Sequence, residues 1–167
     1  PATLTLDGAP SEAGGWRRQR VRELCAWLVL HPGATREEAA EALWPELDGD
    51  AGSNNLRTTL SYLFQALQPD RRPKERSAFL GGDERTLVLE HHEMLEIDLW
   101  EFIRHLDDAE AAERRGSPSA ALVEYRAAAA LWRGPLLGGA ATAWADDEQE
   151  RLRSAFVTAA TRGAELA

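Results

Sequence analysis

Cysteine is almost missing from this chain of 167 residues: Cys25 stands alone. That excludes an internal disulfide framework and a multi-cysteine zinc site. Long apolar runs are missing too. The longest, residues 24–30, is seven residues, against the ~20 needed to span a membrane. Residues 1–6 lack the charged, apolar and cleavage regions of a secretory signal, and there is no initiator methionine. The chain therefore reads as a cytoplasmic fragment or processed piece of a longer protein. Catalytic signatures are lacking as well. Gly81-Gly82 is not followed by the Gly-Lys-Ser/Thr ending of a phosphate loop, and no Ser/His/Asp or Cys/His arrangement is legible. His91, His92 and Glu93, taken with His31 or His105, lack the spacing of a metal-ligand set. The expectation is a non-enzymatic protein with no cofactor and no metal. An excess of positive charge is also lacking. The chain has 19 Lys/Arg against 28 Asp/Glu, net −9, which counts against a sequence-independent nucleic-acid binder. It leaves room for a local basic face.

What is present is ordinary globular material, 44% hydrophobic and 28% charged. It suffices for a core in one domain or two small ones. A short strand is expected over residues 2–6, with a turn at Asp7-Gly8. A helix over residues 17–30 carries Val21, Leu24, Cys25 and Leu28 on one stripe, which makes Cys25 a buried small hydrophobe. Thr35-Arg36-Glu37-Glu38 is a capping box opening a helix that Pro45 ends. Residues 46–52 read as an acidic, Gly-containing loop. Ser53 or Asn54 is expected to cap a third helix running to about Leu67, with Leu56, Leu60, Leu63, Phe64 and Leu67 inward. Residues 78–80 and 86–89 read as a β-hairpin. Beyond a seam near residues 90–96, Asp98 is expected to cap a helix ended by Gly116. Ser117-Pro118 opens a second, and a last helix occupies about residues 144–164. Residues 99–131 have about the length of one tetratricopeptide unit. The six tryptophans read as core or interface anchors.

Charge is unevenly distributed. Residues 1–92 hold 11 Lys/Arg and 14 Asp/Glu, and residues 93–167 hold 8 and 14. The basic residues clump at Arg17, Arg18, Arg20 and Arg22, and again at Arg71, Arg72, Lys74 and Arg76. Three helices followed by a hairpin is the order of a winged helix-turn-helix. Its second helix-turn-helix element lies in the major groove, where side chains meet base edges. With the leucine stripe inward, Arg57, Thr58, Ser61, Tyr62 and Gln65 face outward as the expected DNA-reading set. Arg57 is suited to guanine, and Thr58 or Ser61 to a base or phosphate. Arg71, Arg72, Lys74, Arg76 and the hairpin's Arg85 are expected phosphate contacts. Arg17 and Arg18 at a helix N-terminus favour an external anion.

Several stretches together resemble one family. They are Trp16-Arg17-Arg18 through Arg20, Arg22-Glu23-Leu24, then Leu28 to Gly33, Thr35 to Glu38, Ala42-Leu43-Trp44-Pro45 and Asn55-Leu56-Arg57 through Leu63. With Asp98-Leu99-Trp100-Glu101-Phe102 and Ala130-Leu131-Trp132 to Leu136, they resemble the Streptomyces antibiotic regulatory protein (SARP) type of bacterial transcription activator over about residues 16–165. The resemblance implies a mainly α protein. Residues 1–92 would be a winged helix-turn-helix DNA-binding domain. Residues 93–167 would be an incomplete, tetratricopeptide-like bacterial transcriptional activator domain. It further implies binding of double-stranded promoter DNA as a homodimer, recruitment of RNA polymerase, and further domains in a longer chain. Glu46, Asp48 and Asp50 would lie where such proteins touch polymerase. The sequence departs from the family at Tyr62-Leu63-Phe64-Gln65, where arginines commonly stand. That departure and the acidic balance favour the rival reading: a winged-helix and tetratricopeptide-like module that has lost DNA binding and senses a ligand or partner domain.

Overall fold

The computed structural model describes residues 4–6, 9–10, 14–72, 75–138 and 142–167. The chain divides into two compact units, Thr3–Glu96 and a second comprising Ile97–Ala167.

The first unit opens with strands β1 (Leu4–Leu6) and β2 (Ala9–Pro10), paired antiparallel with Thr5 opposite Pro10 and Leu6 opposite Ala9. Three helices follow: α1 (Gln19–Leu30), α2 (Arg36–Leu43) and α3 (Gly49–Leu67). A hairpin of β3 (Leu80–Gly81) and β4 (Val88–Leu89) comes next, with Leu80 opposite Leu89. Strand β5 (Leu95–Ile97) lies beside β1 in the order β2-β1-β5, a pairing not foreseen in the sequence. Ala2, Thr3, Asp7 and Gly8 of the expected strand and turn lie outside the described residues.

Helix-period leucines account for how the helices pack. Val21, Leu24, Cys25 and Leu28 of α1 are buried, as are Ala39, Ala40 and Leu43 of α2 and Leu56, Leu60, Leu63 and Leu67 of α3. Phe79, Leu80, Leu87 and Leu89 bury the inner side of the hairpin. Helix α2 begins with the expected capping box. The Glu38 N–H donates to Thr35 Oγ1 at 3.1 Å, and the Thr35 N–H donates to the Glu38 carboxylate at 2.7 Å. The same segment ties to the hairpin. The Arg36 N–H donates to the Arg85 carbonyl at 2.7 Å, and the Leu87 N–H to the Ala34 carbonyl at 2.9 Å.

Three expected helix starts shift. Helix α1 begins at Gln19, so Arg17 and Arg18 stand in the turn before it. Helix α3 begins at Gly49, not near Ser53, because Asp48 caps it by accepting the Ala51 N–H at 2.8 Å. Asp48 therefore ends the acidic loop, and Asp50 belongs to the first helical turn. The fourth helix takes Asp98 as its first residue, with Ile97 at the cap and no side-chain cap bond.

The second unit consists of α4 (Asp98–Arg114), α5 (Pro118–Leu131), a 3₁₀ turn (Leu136–Gly138) and α6 (Ala143–Glu165). Gly116, at φ +69°, closes α4 in a Schellman motif. The Ser117 N–H reaches the Ala112 carbonyl at 2.9 Å, and the Gly116 N–H the Glu113 carbonyl at 2.8 Å. Small residues let the three helices approach: Ala109, Ala112, Ala121, Ala128 and Ala159 are all buried. Phe102, Tyr125 and Leu152 fill the rest of this core. Trp132 stacks on Phe156 with ring centroids 4.8 Å apart. Leu122 is half-buried, and Ala121 beside it is fully buried. Tyr125, Glu113 and Arg162 tie α5, α4 and α6 by one polar chain. Burial, then the Glu113 carboxylate that accepts its hydroxyl, pushes the Tyr125 phenol above its ordinary pKa. The chain is mainly helical, as expected, with six α-helices among the described residues.

Candidate nucleic-acid interface

Helix α3 is amphipathic in a way that fixes which residues can meet a partner. Leu56, Thr59, Leu60, Leu63, Ala66 and Leu67 are buried, while Arg57, Thr58, Ser61 and Gln65 are exposed. Tyr62 is half-buried, so of the five expected reading residues it is the one drawn partly inward. Phe64, expected in the core stripe, is also half-buried.

Neighbours organise this face from three sides. At its C-terminal half, the turn before α1 lies directly on α3: a Cβ at Gly15 would run into the Tyr62 carbonyl. This close approach sets the Arg18 guanidinium 4.0 Å above the Tyr62 ring, a contact of about 0.5–1 kcal/mol at exposed sites. Further along, the Arg71 guanidinium covers the Phe64 ring at 4.7 Å, and it donates to the Glu75 carbonyl. Aromatic rings thus stand on this half of the helix, at Tyr62 and Phe64. Two arginines from outside the helix cover those rings.

At the start of α3, a groove of about 810 Å³ runs between α2, the first turns of α3 and the hairpin turn. Arg57 and Arg85 line it together, with Arg36. So do Asp48, Asp50 and Glu84. Two of the residues expected to touch polymerase, Asp48 and Asp50, therefore share one mixed-sign groove with two of those expected to touch DNA, Arg57 and Arg85. Glu46 lies outside that lining, exposed in the α2–α3 connection. The hairpin turn is held by Asp83, whose Oδ1 accepts the N–H of Arg85 at 2.8 Å and of Thr86 at 2.7 Å, and the Thr86 hydroxyl at 2.9 Å. These bonds, the one from the Thr86 N–H foremost, hold the Asp83 carboxyl below its ordinary pKa.

The remaining basic residues divide. Arg17 is exposed, and its carbonyl accepts from Arg22 at 3.3 Å. Arg20, also exposed, is paired at 2.7 Å with Glu23, which is fully buried. Arg72 and Arg76 are exposed, the Arg72 N–H donating to the Glu75 carboxylate at 2.9 Å. Lys74 lies outside the described residues.

Sequence reasoning missed two residues here. Asn54 is expected only as a cap; it is exposed on the same stripe, and its Oδ1 accepts from the Arg57 guanidinium at 2.7 Å. Its spacing of three and four residues from Arg57 and Thr58 was the available signal. Glu23, given no role by the sequence, is buried and bonded by Gln19 and Arg20. No group of three metal-ligating side chains occurs among the described residues. His31 stacks on Trp27, His92 meets Phe79 edge-on, and His105 pairs with Glu124 at 2.6 Å. No helix among the described residues is long and apolar enough to cross a membrane.

Residues 97–167 match the family model described as bacterial transcriptional activator domain. No curated protein matches the chain. Among solved structures, EmbR of Mycobacterium tuberculosis, determined in complex with a low-affinity phosphopeptide, superposes with a TM-score of 0.73 at 20% identity. The alignment covers 99% of this chain and 46% of that one, so this chain spans less than half the length of EmbR. At that identity the likeness is one of fold. The domain match supports a transcriptional regulator.

Proposed function

We propose that the chain is a sequence-specific, DNA-binding transcriptional regulator of the SARP type, an activator that recruits RNA polymerase. Residues 1–92 act as a winged helix-turn-helix, and residues 93–167 as a bacterial transcriptional activator domain that mediates protein contacts. The observation that carries this reading is the division of α3 into a buried leucine stripe and an exposed face of Arg57, Thr58, Ser61 and Gln65. Arg18 is set beside that face over Tyr62. In this reading α3 enters the major groove of double-stranded DNA and Arg57 donates to guanine O6 and N7. Arg17, Arg18, Arg71, Arg72, Lys74, Arg76 and Arg85 meet phosphates, which fix register without reading sequence. Glu46, Asp48 and Asp50 meet RNA polymerase, and the second unit pairs two chains on repeated promoter elements. The domain match over residues 97–167 supports the regulator reading.

The test is fluorescence-anisotropy binding of the full chain to a pool of genomic duplex fragments. The chain is expected to select a few fragments tightly. An Arg57→Ala, Ser61→Ala chain is expected to lose at least about tenfold in affinity for them, at roughly 1–3 kcal/mol per lost base contact. Unchanged affinity of the double variant contradicts the assignment of α3 as the reading helix. Failure of the folded wild-type chain to bind any fragment favours the ligand- or partner-sensing reading.

A further inference from the structure

We propose that Asn54 is a second base-reading side chain of α3, taking an adenine on the base pair next to the guanine taken by Arg57. This rests on the DNA-reading function above and specifies part of the sequence that is read. Asn54 is exposed and stands one turn before Arg57, on the stripe that continues through Thr58, Ser61 and Gln65. The helix is capped by Asp48, so the carboxamide of Asn54 is not spent on the helix end. Its Oδ1 accepts from the Arg57 guanidinium at 2.7 Å, and its backbone carbonyl accepts the Thr58 hydroxyl at 3.0 Å. Asn54 and Arg57 thus form one exposed side-chain pair, with the Thr58 hydroxyl bonded to the backbone beside it.

The chemistry of the pair is complementary to two adjacent purines. A carboxamide accepts through Oδ1 and donates through Nδ2, the pattern that matches adenine N6–H and N7. A guanidinium donates twice, the pattern that matches guanine O6 and N7. Three residues along an α-helix advance ~4.5 Å, close to the ~3.4 Å rise of one base step. With the helix lying along the groove, that spacing puts the two side chains within reach of neighbouring base pairs. Binding exchanges partners: Arg57 leaves Oδ1 for guanine, and Oδ1 takes the adenine amino group.

The experiment selects binding sites for the full chain from a randomised duplex pool, using wild type, Asn54→Ala and Arg57→Ala. Alanine at an exposed helical position retains helix propensity, and circular dichroism checks the fold of each variant. The wild-type motif is expected to contain adjacent adenine and guanine. Asn54→Ala is expected to lose about 5- to 150-fold of preference at the adenine alone, the range for one bidentate contact. Arg57→Ala loses preference at the guanine alone. Three outcomes overturn the proposal. An unchanged motif for Asn54→Ala gives Asn54 no role in reading. Relaxation of the same position by both substitutions makes Asn54 a positioning residue for Arg57. A uniform loss across all sequences makes it a phosphate contact. Recovery of no motif by the wild-type chain defeats the DNA-reading function itself, and is seen before any variant is compared.

Discussion

Two arginines in one basic cluster can have opposite roles, and Arg17 and Arg20 are such a pair. Arg20 is committed to Glu23, a carboxylate fully removed from solvent that also accepts from Gln19 at 2.7 Å. A buried carboxylate stripped of its cation keeps its desolvation cost and loses the compensation. Arg20 is partly exposed, so solvent screens the pair and takes over some of the lost attraction. Arg20→Ala is expected to destabilise the chain by about 1–3 kcal/mol in urea denaturation. Arg17→Ala, an exposed change, is expected to stay within about 0.5 kcal/mol. The sequence shows four arginines as one clump. Only packing tells which of them is paired with a buried carboxylate, because a carboxylate on a predominantly apolar helix carries no sign of its burial. Arg57 was the easier residue to place. A leucine stripe at helical spacing dictates the opposite face, and that face is where Arg57, Thr58, Ser61 and Gln65 emerge.

At the scale of the element, α3 carries two glycines in its first two turns, which is why its start was misplaced. Glycine weakens a helix by about 0.5–1 kcal/mol relative to alanine, and Gly49 and Gly52 read as loop. The Asp48 cap and packing of α2 against α3 offset that weakness. A Cβ at Gly52 would sit 3.6 Å from the Ala40 Cβ, an ordinary contact. Gly52→Ala is therefore expected to raise stability by about 0.5–1 kcal/mol, seen as a higher urea midpoint at constant slope. Gly82 behaves oppositely. Its φ is +104°, and a Cβ there would meet the Thr86 carbonyl. Gly82→Ala is expected to cost about 1–3 kcal/mol, with loss of amide protection at the hairpin. The hairpin and the start of α2 also respond to acid. Asp83 and Glu38 are both held below their ordinary carboxyl values by hydrogen bonds, from Thr86 and from Thr35 foremost. Their contribution is complete above the unfolded carboxyl range near pH 4. It is lost as the pH falls through the lower folded values. Hydrogen exchange is expected to show these two segments loosening first in acid, and an Asp83→Asn chain is expected to lose that pH dependence at the hairpin turn.

At the scale of the whole molecule, local signals carried far and long-range ones did not. The capping box at Thr35, the Gly116 stop and the Pro118 start are each complete within a few residues, and each stands in the structure as the sequence implies. Strand β5 and its place beside β1 depend on partners about ninety residues apart, which no local pattern records. The placement of Arg18 over Tyr62 is likewise tertiary: it follows from Gly15 lying against α3. A chain of net −9 that reads DNA must concentrate its contacts on one local face. Arg57 and Arg85 share a mixed-sign groove with Asp48 and Asp50. The most direct test is amide hydrogen exchange of the full chain with and without a selected duplex, at ~50 mM salt so that phosphate contacts hold. The account predicts slowed exchange across residues 54–65, the turn before α1 and the hairpin turn. Unchanged exchange on α3 in a DNA-bound chain would contradict it.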